Sequence, residues 1–473
     1  MVLNYQFNVQ LMTKAAALSR IRMIKKNIVV NYLFVLVFII QAKLLRLVLS
    51  WLKKGNATSL PGILIELYFP SLIKNLTKNY KQIIVISGTN GKTTTRSILV
   101  KIFSEAGFKV CTNLGGANIY RGISTSLLFD HNWPGKPKSD ILILEIEEAT
   151  LPKISKYLKV DKLILTNLFR DQLDLYGEID VTLNYFKKSL ALLDSEKLEL
   201  IINSDDAKLV GLTGLDLKAK ILGFGLNIPN DKKPKFELDY ILWPETIINN
   251  LWELSYINKD KSSAKSDVST SFVITKSSKN QFLGAEFETN LNGNYNLYNC
   301  LAAILASSEI SVSIIQKALK MQTEVFGRGE IIEIKNTKIK IILVKNPASF
   351  DQVLDQISES EQIENIAFLI NDNIADGRDV SWLWDINFEN YLPKIKLGKV
   401  LTGGTRGMDM LLRLEYAGLK VNLENNQDSF DSLLSKMQQS SNYTVLCTYT
   451  AMTELRELLA KKVPLKSISG EGN

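Results

Sequence analysis

The sequence predicts an α/β protein of two domains in series. Each carries a mostly parallel sheet, and the first has a small β-rich insertion. Three observations predict it. Ile141–Leu144, Leu163–Leu165 and Leu200–Ile202 are short, almost uniformly apolar runs with helical stretches between them. Strands buried on both faces and joined by βαβ crossovers have this pattern. Ile83–Arg96, IIVISGTNGKTTTR, runs from an apolar β-branched strand through a glycine-flanked turn into a helical pattern. A fresh set of apolar runs then begins past Phe326-Gly327-Arg328-Gly329-Glu330. A chain of 473 residues suits two or three domains.

In order, residues 1–55 are expected to form a basic and apolar helical extension. Lys14, Arg20, Arg22, Lys25 and Lys26 precede the apolar run Ile28–Ile40, and apolar character continues through Leu44–Trp51. This segment reads as a helix on or marginally across a membrane, or as a helix packed on the next domain. A signal peptide is disfavoured because no small-residue cleavage site follows, and Met23 is an alternative start. Residues 56–325 form the expected central domain. Ser59-Leu60-Pro61-Gly62 is a turn, and Ile98, Leu99, Ile102 and Phe103 share one face of the helix after the glycine loop. After Phe224-Gly225 the polar stretches Asn230–Lys235 and Asn258–Thr270 alternate with short β-like runs at Ser271–Ile274 and Ala285–Phe287. The insertion therefore spans about 227–290, and a helix begins at Gly293–Ala303. Residues 326–473 form the second α/β domain. Its expected strands are Ile341–Val344, Ile366–Ile370, Lys399–Thr402 and Thr444–Cys447, with helices such as Met408–Tyr416 and Met452–Leu459 between them. The tail after Pro464 is expected to be disordered.

Composition narrows the function. Three dispersed cysteines, Cys111, Cys300 and Cys447, exclude a disulfide framework and a CxxC metal site, and fit a reducing, cytoplasmic compartment. The net charge of +8 suits phosphorylated substrates near an anionic membrane face. No basic–aromatic stripe supports a nucleic-acid partner, and none is expected. The single histidine, His131, makes Cys-His or Ser-His catalysis within this chain dependent on one residue.

The chemistry centres on Gly88-Thr89-Asn90-Gly91-Lys92-Thr93-Thr94-Thr95. Turn N–H groups cradle phosphate oxygens, a lysine reaches the β/γ-phosphates and a hydroxyl holds Mg²⁺. The strict GxxxxGK[ST] spacing is not met, because Gly88 stands too close to Gly91. A nucleotide site also needs carboxylates for the metal. Leu144-Glu145-Ile146-Glu147-Glu148 ends a buried strand, where open parallel sheets bind ligands. Glu145 is the candidate Mg²⁺ ligand, and alternation puts Glu147 on the same side if the strand extends that far. Thr166–Asp174 and Asn203-Ser204-Asp205-Asp206 bring further polar groups to the same sheet edge.

The stretches SLPG, SGTNGKTTT, GANIYRGIST, EIEEATLP, TNLFRDQLDLYGEID, NSDD, GNYNLYNCLAA, GRGE, KNPASF, NDNIADGRDVSWLWD and TGGTRG together resemble the MurT family, in register over roughly Ser59–Thr450. Members are Mur-ligase-like subunits of lipid II isoglutaminyl synthase. The resemblance implies a Mur-ligase-type ATPase domain followed by a Rossmann-like C-terminal domain. It implies ATP-dependent amidation of the D-glutamate α-carboxylate of lipid II to D-isoglutamine through an acyl phosphate. The ammonia comes from a separate glutaminase subunit, GatD. By this similarity Gly88, Thr89, Asn90, Gly91, Lys92, Thr93 and Thr94 hold the ATP phosphates, and Thr93 with Glu145 the Mg²⁺. Asn296 and Asn299 approach the base, and Arg328 the γ-phosphate, with Asn346 at the domain junction. Asp379 of the DGRD stretch is the catalytic candidate, orienting the histidine of the partner's Cys-His pair. Bland alternatives stand beside these readings: a surface arginine for Arg328, a helix N-cap for Asn296, and a polar loop anchored by Trp382 and Trp384 for DGRD.

Two departures from the family matter. Related proteins carry a four-cysteine zinc ribbon in the central domain, whereas residues 227–290 hold no cysteine, so zinc is not expected. The apolar N-terminal extension is also unfamiliar, and it suggests association with the inner face of the cell membrane. Two other functions compete: a stand-alone Mur-type ligase that adds an amino acid, and a membrane-associated scaffold that only binds nucleotide. DGRDVSW disfavours the first, and the intact Lys92-Thr93 with Glu145 disfavours the second.

Overall fold

The computed structural model describes residues 60–113, 117–132, 135–169, 179–227, 251–256, 270–291, 293–322, 328–358 and 363–465. The N-terminal extension, most of the FRDQLDLYG stretch, much of the 227–290 region and the tail from residue 466 lie outside the described residues.

Apolar β-branched runs form the first sheet as expected. Its strands are β1 (Gln82–Ser87), β2 (Val110–Thr112), β3 (Ile141–Glu145), β4 (Lys162–Leu165), β5 (Glu199–Asn203), β6 (Lys220–Leu226), β7 (Leu251–Tyr256), β8 (Thr270–Lys276) and β9 (Glu286–Thr289). They lie in the order β2-β3-β1-β4-β5-β6-β7-β8-β9. Pairing is parallel from β2 to β7 and antiparallel for β7–β8 and β8–β9. The β-rich stretch therefore continues the main sheet as its antiparallel edge. β1 stands where the strand order reverses, so the loop after it opens into the crevice where such sheets bind ligands.

Both faces of this sheet are covered. The Lys92–Glu105 helix buries Ile98, Leu99, Ile102 and Phe103 on one face, alongside the almost wholly buried Asn294–Ala306 helix. The Tyr120–Asp130 and Ile179–Leu193 helices cover the other.

The second domain is a six-stranded sheet. Its strands are β10 (Arg328–Ile334), β11 (Thr337–Leu343), β12 (Glu364–Leu369), β13 (Leu397–Gly403), β14 (Asn426–Gln427) and β15 (Asn442–Cys447). Their order is β10-β11-β15-β12-β13-β14, parallel except for the β10–β11 hairpin. The polar stretch 371–380 leaves the carboxyl end of β12 and is tied to its neighbours. Asn371 Nδ2 donates to Thr450 Oγ1 (3.0 Å), and Thr405 N donates to Asn371 Oδ1 (3.0 Å). Trp382 packs on Phe350 with ring centroids 5.7 Å apart.

Arg413, buried on the Gly407–Tyr416 helix, fixes the segment that follows. Its guanidinium donates to the carbonyls of Leu383 (3.1 Å) and Ile386 (2.7 Å) and to both Glu389 oxygens (2.8 and 3.0 Å). Glu389 is half exposed, so most of the stabilisation comes from the two buried carbonyls. Arg413→Ala is expected to destabilise this domain by about 2–4 kcal/mol. Urea unfolding followed by tryptophan fluorescence checks this, since Trp382 and Trp384 flank the site.

Candidate functional site

The glycine loop sits on the carboxyl end of β1, and the helix beginning at Lys92 starts directly from it. Its shape depends on two glycines. Gly88 has φ 128°, and a Cβ there would lie 2.3 Å from Thr166 Oγ1. Gly91 has φ 84°, and a Cβ there would lie 2.2 Å from Asn299 Oδ1. Both values fall in the left-handed region that favours glycine. The first N–H groups of the helix lack intrahelical acceptors and carry the positive end of its dipole, which suits a phosphate.

The loop is clamped from the neighbouring strand. Asn167 Oδ1 accepts from Asn90 N (2.8 Å) while Asn167 Nδ2 donates to the Asn90 carbonyl (3.0 Å). Thr166 Oγ1 donates to the same carbonyl (2.7 Å), and Thr89 N donates to the Asn167 carbonyl (2.9 Å). Phe169 N donates to Thr89 Oγ1 (3.0 Å). The polar residues after β4, expected to line the cleft, thus act largely on the loop's backbone. Arg170, Asp171, Gln172 and Asp174 lie outside the described residues.

Thr93 and Glu145 meet, with Thr93 Oγ1 donating to Glu145 Oε1 (3.0 Å). The other Glu145 oxygen lies 3.4 Å from Nε of the buried Arg96, and Asn113 Oδ1 accepts from the Glu145 N–H (2.9 Å). Among the described residues no three His, Cys, Asp or Glu side chains form a metal cluster. One hydroxyl beside one carboxylate is a hard-oxygen pair that fits Mg²⁺, which keeps waters and substrate phosphates as its other ligands.

Glu147 requires a correction. β3 ends at Glu145, so alternation does not carry on to Glu147. It is Glu148 that meets the loop: its Oε1 accepts from Lys92 Nζ (2.9 Å). Lys92 also donates to the carbonyls of Gly88 and Thr89. Nothing in the sequence singled out Glu148, because it lies in a turn without a period to count.

Asn296 and Asn299 lie together at the loop. Asn299 Nδ2 donates to Asn296 Oδ1 (3.1 Å), and Thr95 Oγ1 donates to Asn299 Oδ1 (3.3 Å). Gly293 takes the N-cap position, so Asn296 is not a cap. A cavity beside them is lined by Asn90, Thr94, Asn167, Asn299, Tyr295 and, from the second domain, Gln352. Asn346 caps the Pro347–Ser358 helix, accepting from Ser349 N (2.9 Å), and faces Asn90 as an amide pair at 3.4 and 3.5 Å. Arg328 is the first residue of β10, paired with Ile342; its side chain is not among those described.

Asp376 and Asp379 differ. Asp376 is buried and accepts from Thr450 N (2.8 Å) and Thr450 Oγ1. Asp379 is half-buried, and its Oδ1 accepts from Ser381 N (2.8 Å). His131 is buried at the end of the Tyr120–Asp130 helix, its Nδ1 2.7 Å from the Leu127 carbonyl. Burial lowers its pKa, so the imidazole is held neutral.

The Mur ligase middle domain family model matches residues 86–307, and the MurT ligase C-terminal model matches residues 343–452. The chain thus joins a Mur ligase middle domain to a MurT ligase C-terminal domain. It is 29% identical over 426 residues to the lipid II isoglutaminyl synthase (glutamine-hydrolysing) subunit MurT of Streptococcus pneumoniae, with 86% of this chain and 93% of that protein covered. The MurT subunit of Staphylococcus aureus (strain COL) is 27% identical with the same coverage. MurF of Acinetobacter baumannii superposes with a TM-score of 0.59 at 14% identity, over 83% of this chain and 79% of that one. MurF of Thermotoga maritima in complex with ADP gives 0.58 at 15%, over 83% and 82%. These two show that the chain shares the Mur ligase fold.

Asp206 supports the clamp from behind. Its carboxylate accepts from Leu168 N (2.7 Å), Lys208 N (3.1 Å) and Leu209 N (3.3 Å). Burial raises its pKa to about 6 in spite of these donors. An unfolded aspartate titrates near ~3.9, so the folded chain holds this proton more tightly and stability falls as pH rises from about 4 to about 6. The loss is about 2–3 kcal/mol. Asp206→Asn is expected to flatten that part of the stability–pH curve, read by urea denaturation at several pH values. An unchanged slope counts against the assignment.

Proposed function

We propose that this chain is the synthetase subunit of a lipid II isoglutaminyl synthase. In this reading it uses ATP to activate the D-glutamate α-carboxylate of lipid II as an acyl phosphate, and ammonia from a GatD-like glutaminase partner displaces the phosphate to leave D-isoglutamine. The observation that carries the reading is one chain holding both parts. A phosphate loop with Lys92, Thr93 and Glu145 lies in the Mur ligase middle domain, and Asp379 lies on a turn at the carboxyl edge of the MurT-type sheet.

A carboxylate is a poor electrophile until one oxygen becomes a leaving group. Lys92 and the helix N-terminus would hold the phosphates in line, and Lys92 would leave Glu148 and the loop carbonyls to do so. Thr93 and Glu145 would hold Mg²⁺, which supplies charge neutralisation at the transferring phosphate when bound. Asn296 and Asn299 would shape the wall near the base, and Arg328 would approach from the second domain. Asp379 would orient the partner's histidine. The buried, neutral His131 supports that division, since it is bonded to its own helix. Among the described residues no helix is long and apolar enough to cross a membrane.

With the partner co-purified, amidation of lipid II is measured with glutamine and, separately, with an ammonium salt. Lys92→Met and Glu145→Gln are expected to lose both activities by about 10²-fold or more. Asp379→Asn is expected to lose the glutamine-dependent rate by a similar factor and to keep the ammonium-dependent one. Full glutamine-dependent activity in Asp379→Asn would remove its partner role. Turnover with an amino acid in place of ammonia would favour a stand-alone ligase.

A further inference from the structure

Among the described residues, nothing covers an apolar face of the domain's first helix beside the cleft. On the Leu60–Tyr68 helix and the turn after it, Leu64, Leu67, Tyr68 and Phe69 are exposed, Leu67 and Tyr68 by 62% and 68%. The helix lies across the Tyr120–Asp130 helix. Gly62 N donates to Thr125 Oγ1 (3.0 Å), and Tyr120 Oη donates to the Pro70 carbonyl (2.9 Å). Ile119, just before Tyr120, is also exposed. Its neighbour Asn118 accepts from the Glu147 N–H (3.0 Å), between Glu145 and Glu148 of the nucleotide site. The uncovered face therefore sits at the rim of the cleft.

Charge says what covers it. Residues 1–59 contain nine lysines and arginines and no aspartate or glutamate. With +9 there and +8 for the whole chain, residues 60–473 are left at −1. The basic charge of the protein is thus concentrated in an apolar stretch that runs directly into this helix. Basic residues among aliphatic and aromatic ones favour an anionic bilayer over a protein surface. On the folded side, the one acidic residue of the helix, Glu66, is paired with Arg121 (2.6 Å) and offers little repulsion to lipid headgroups.

We infer that Leu64, Leu67, Tyr68, Phe69 and Ile119 form a docking face for an anionic phospholipid bilayer, which brings the rim of the cleft to the membrane surface. The inference deepens the proposed function and rests on it for the purpose of the docking, because a lipid-linked carboxylate then reaches the nucleotide site without leaving the leaflet. The docking itself requires no turnover.

The full-length protein with its partner is sedimented with vesicles of phosphatidylglycerol and phosphatidylcholine, and with vesicles of phosphatidylcholine alone. Binding is expected to the first, to fall with salt, and to be much weaker to the second. The triple variant Leu67→Ser, Tyr68→Ser, Phe69→Ser is expected to bind the anionic vesicles about tenfold less or worse. Its ATP-dependent turnover of a short-chain, water-soluble substrate is expected to stay unchanged. Leu67→Cys carrying an environment-sensitive dye gives a second readout, since Cys111, Cys300 and Cys447 are all buried. Its emission is expected to be that of a water-exposed dye until anionic vesicles are added. Unchanged vesicle binding by the triple variant overturns the inference. So does dye emission that is already apolar without vesicles, which would mean that the chain's own N-terminal segment covers the face. Loss of turnover with docking intact would count against the proposed function instead.

Discussion

The nucleotide site depends on a clamp between two adjacent parallel strands. The Asn167 side-chain oxygen accepts from the Asn90 N–H and its side-chain nitrogen donates to the Asn90 carbonyl, while Thr166 adds a second donor to that carbonyl. The peptide groups of a tight glycine turn would otherwise compete with phosphate for geometry. Here the turn is fixed by one buried and two part-buried bonds of 2.7–3.0 Å, and the buried one costs about 1–3 kcal/mol to leave unmade. Asp206 carries the constraint one strand further by bonding Leu168 N, so β1, β4 and β5 share in shaping one loop.

Much of this architecture was legible because burial on both faces writes itself into the sequence. The runs at Ile141, Leu163 and Leu200 became β3, β4 and β5, and those at Ile341, Ile366, Lys399 and Thr444 became β11, β12, β13 and β15. The phosphate loop was legible because only glycine fits the backbone at Gly88 and Gly91. Glu145 was placed at the sheet edge by its strand end and paired with Thr93 through the family resemblance, and the two side chains do meet.

What escaped was set by contacts that carry no period. β2 is three residues long and β14 two, too short to show a pattern. β6 contains Gly223 and Gly225, which dilute a strand signal; a Cβ at Gly225 would lie 2.7 Å from Ser204 Oγ. Glu148 reaches Lys92 from a turn, and counting by twos from Glu145 led to Glu147 instead. Polar residues after β4 and β5 were rightly placed at the cleft edge, but which of them face a ligand and which hold backbone is settled by partners a whole strand away. Asp206 holds backbone, whereas Asn167 and Asn203 both bond backbone and line the cavity.

The two domains meet the loop with very different strength. Asn90 is held within its own domain by bonds of 2.7–3.0 Å, whereas its amide faces Asn346 at 3.4 and 3.5 Å, the long limit of a hydrogen bond. Asn346 has firmer business of its own, capping the Pro347–Ser358 helix at 2.9 Å. The shape of the phosphate loop is therefore set within its own domain rather than by its contact with Asn346. That asymmetry suits a reaction in two parts. Carboxylate activation needs a rigid cradle, and the amine must arrive at a centre kept from water. A loop held by Asn167 and Thr166 of its own domain meets the first of these needs without calling on the second domain.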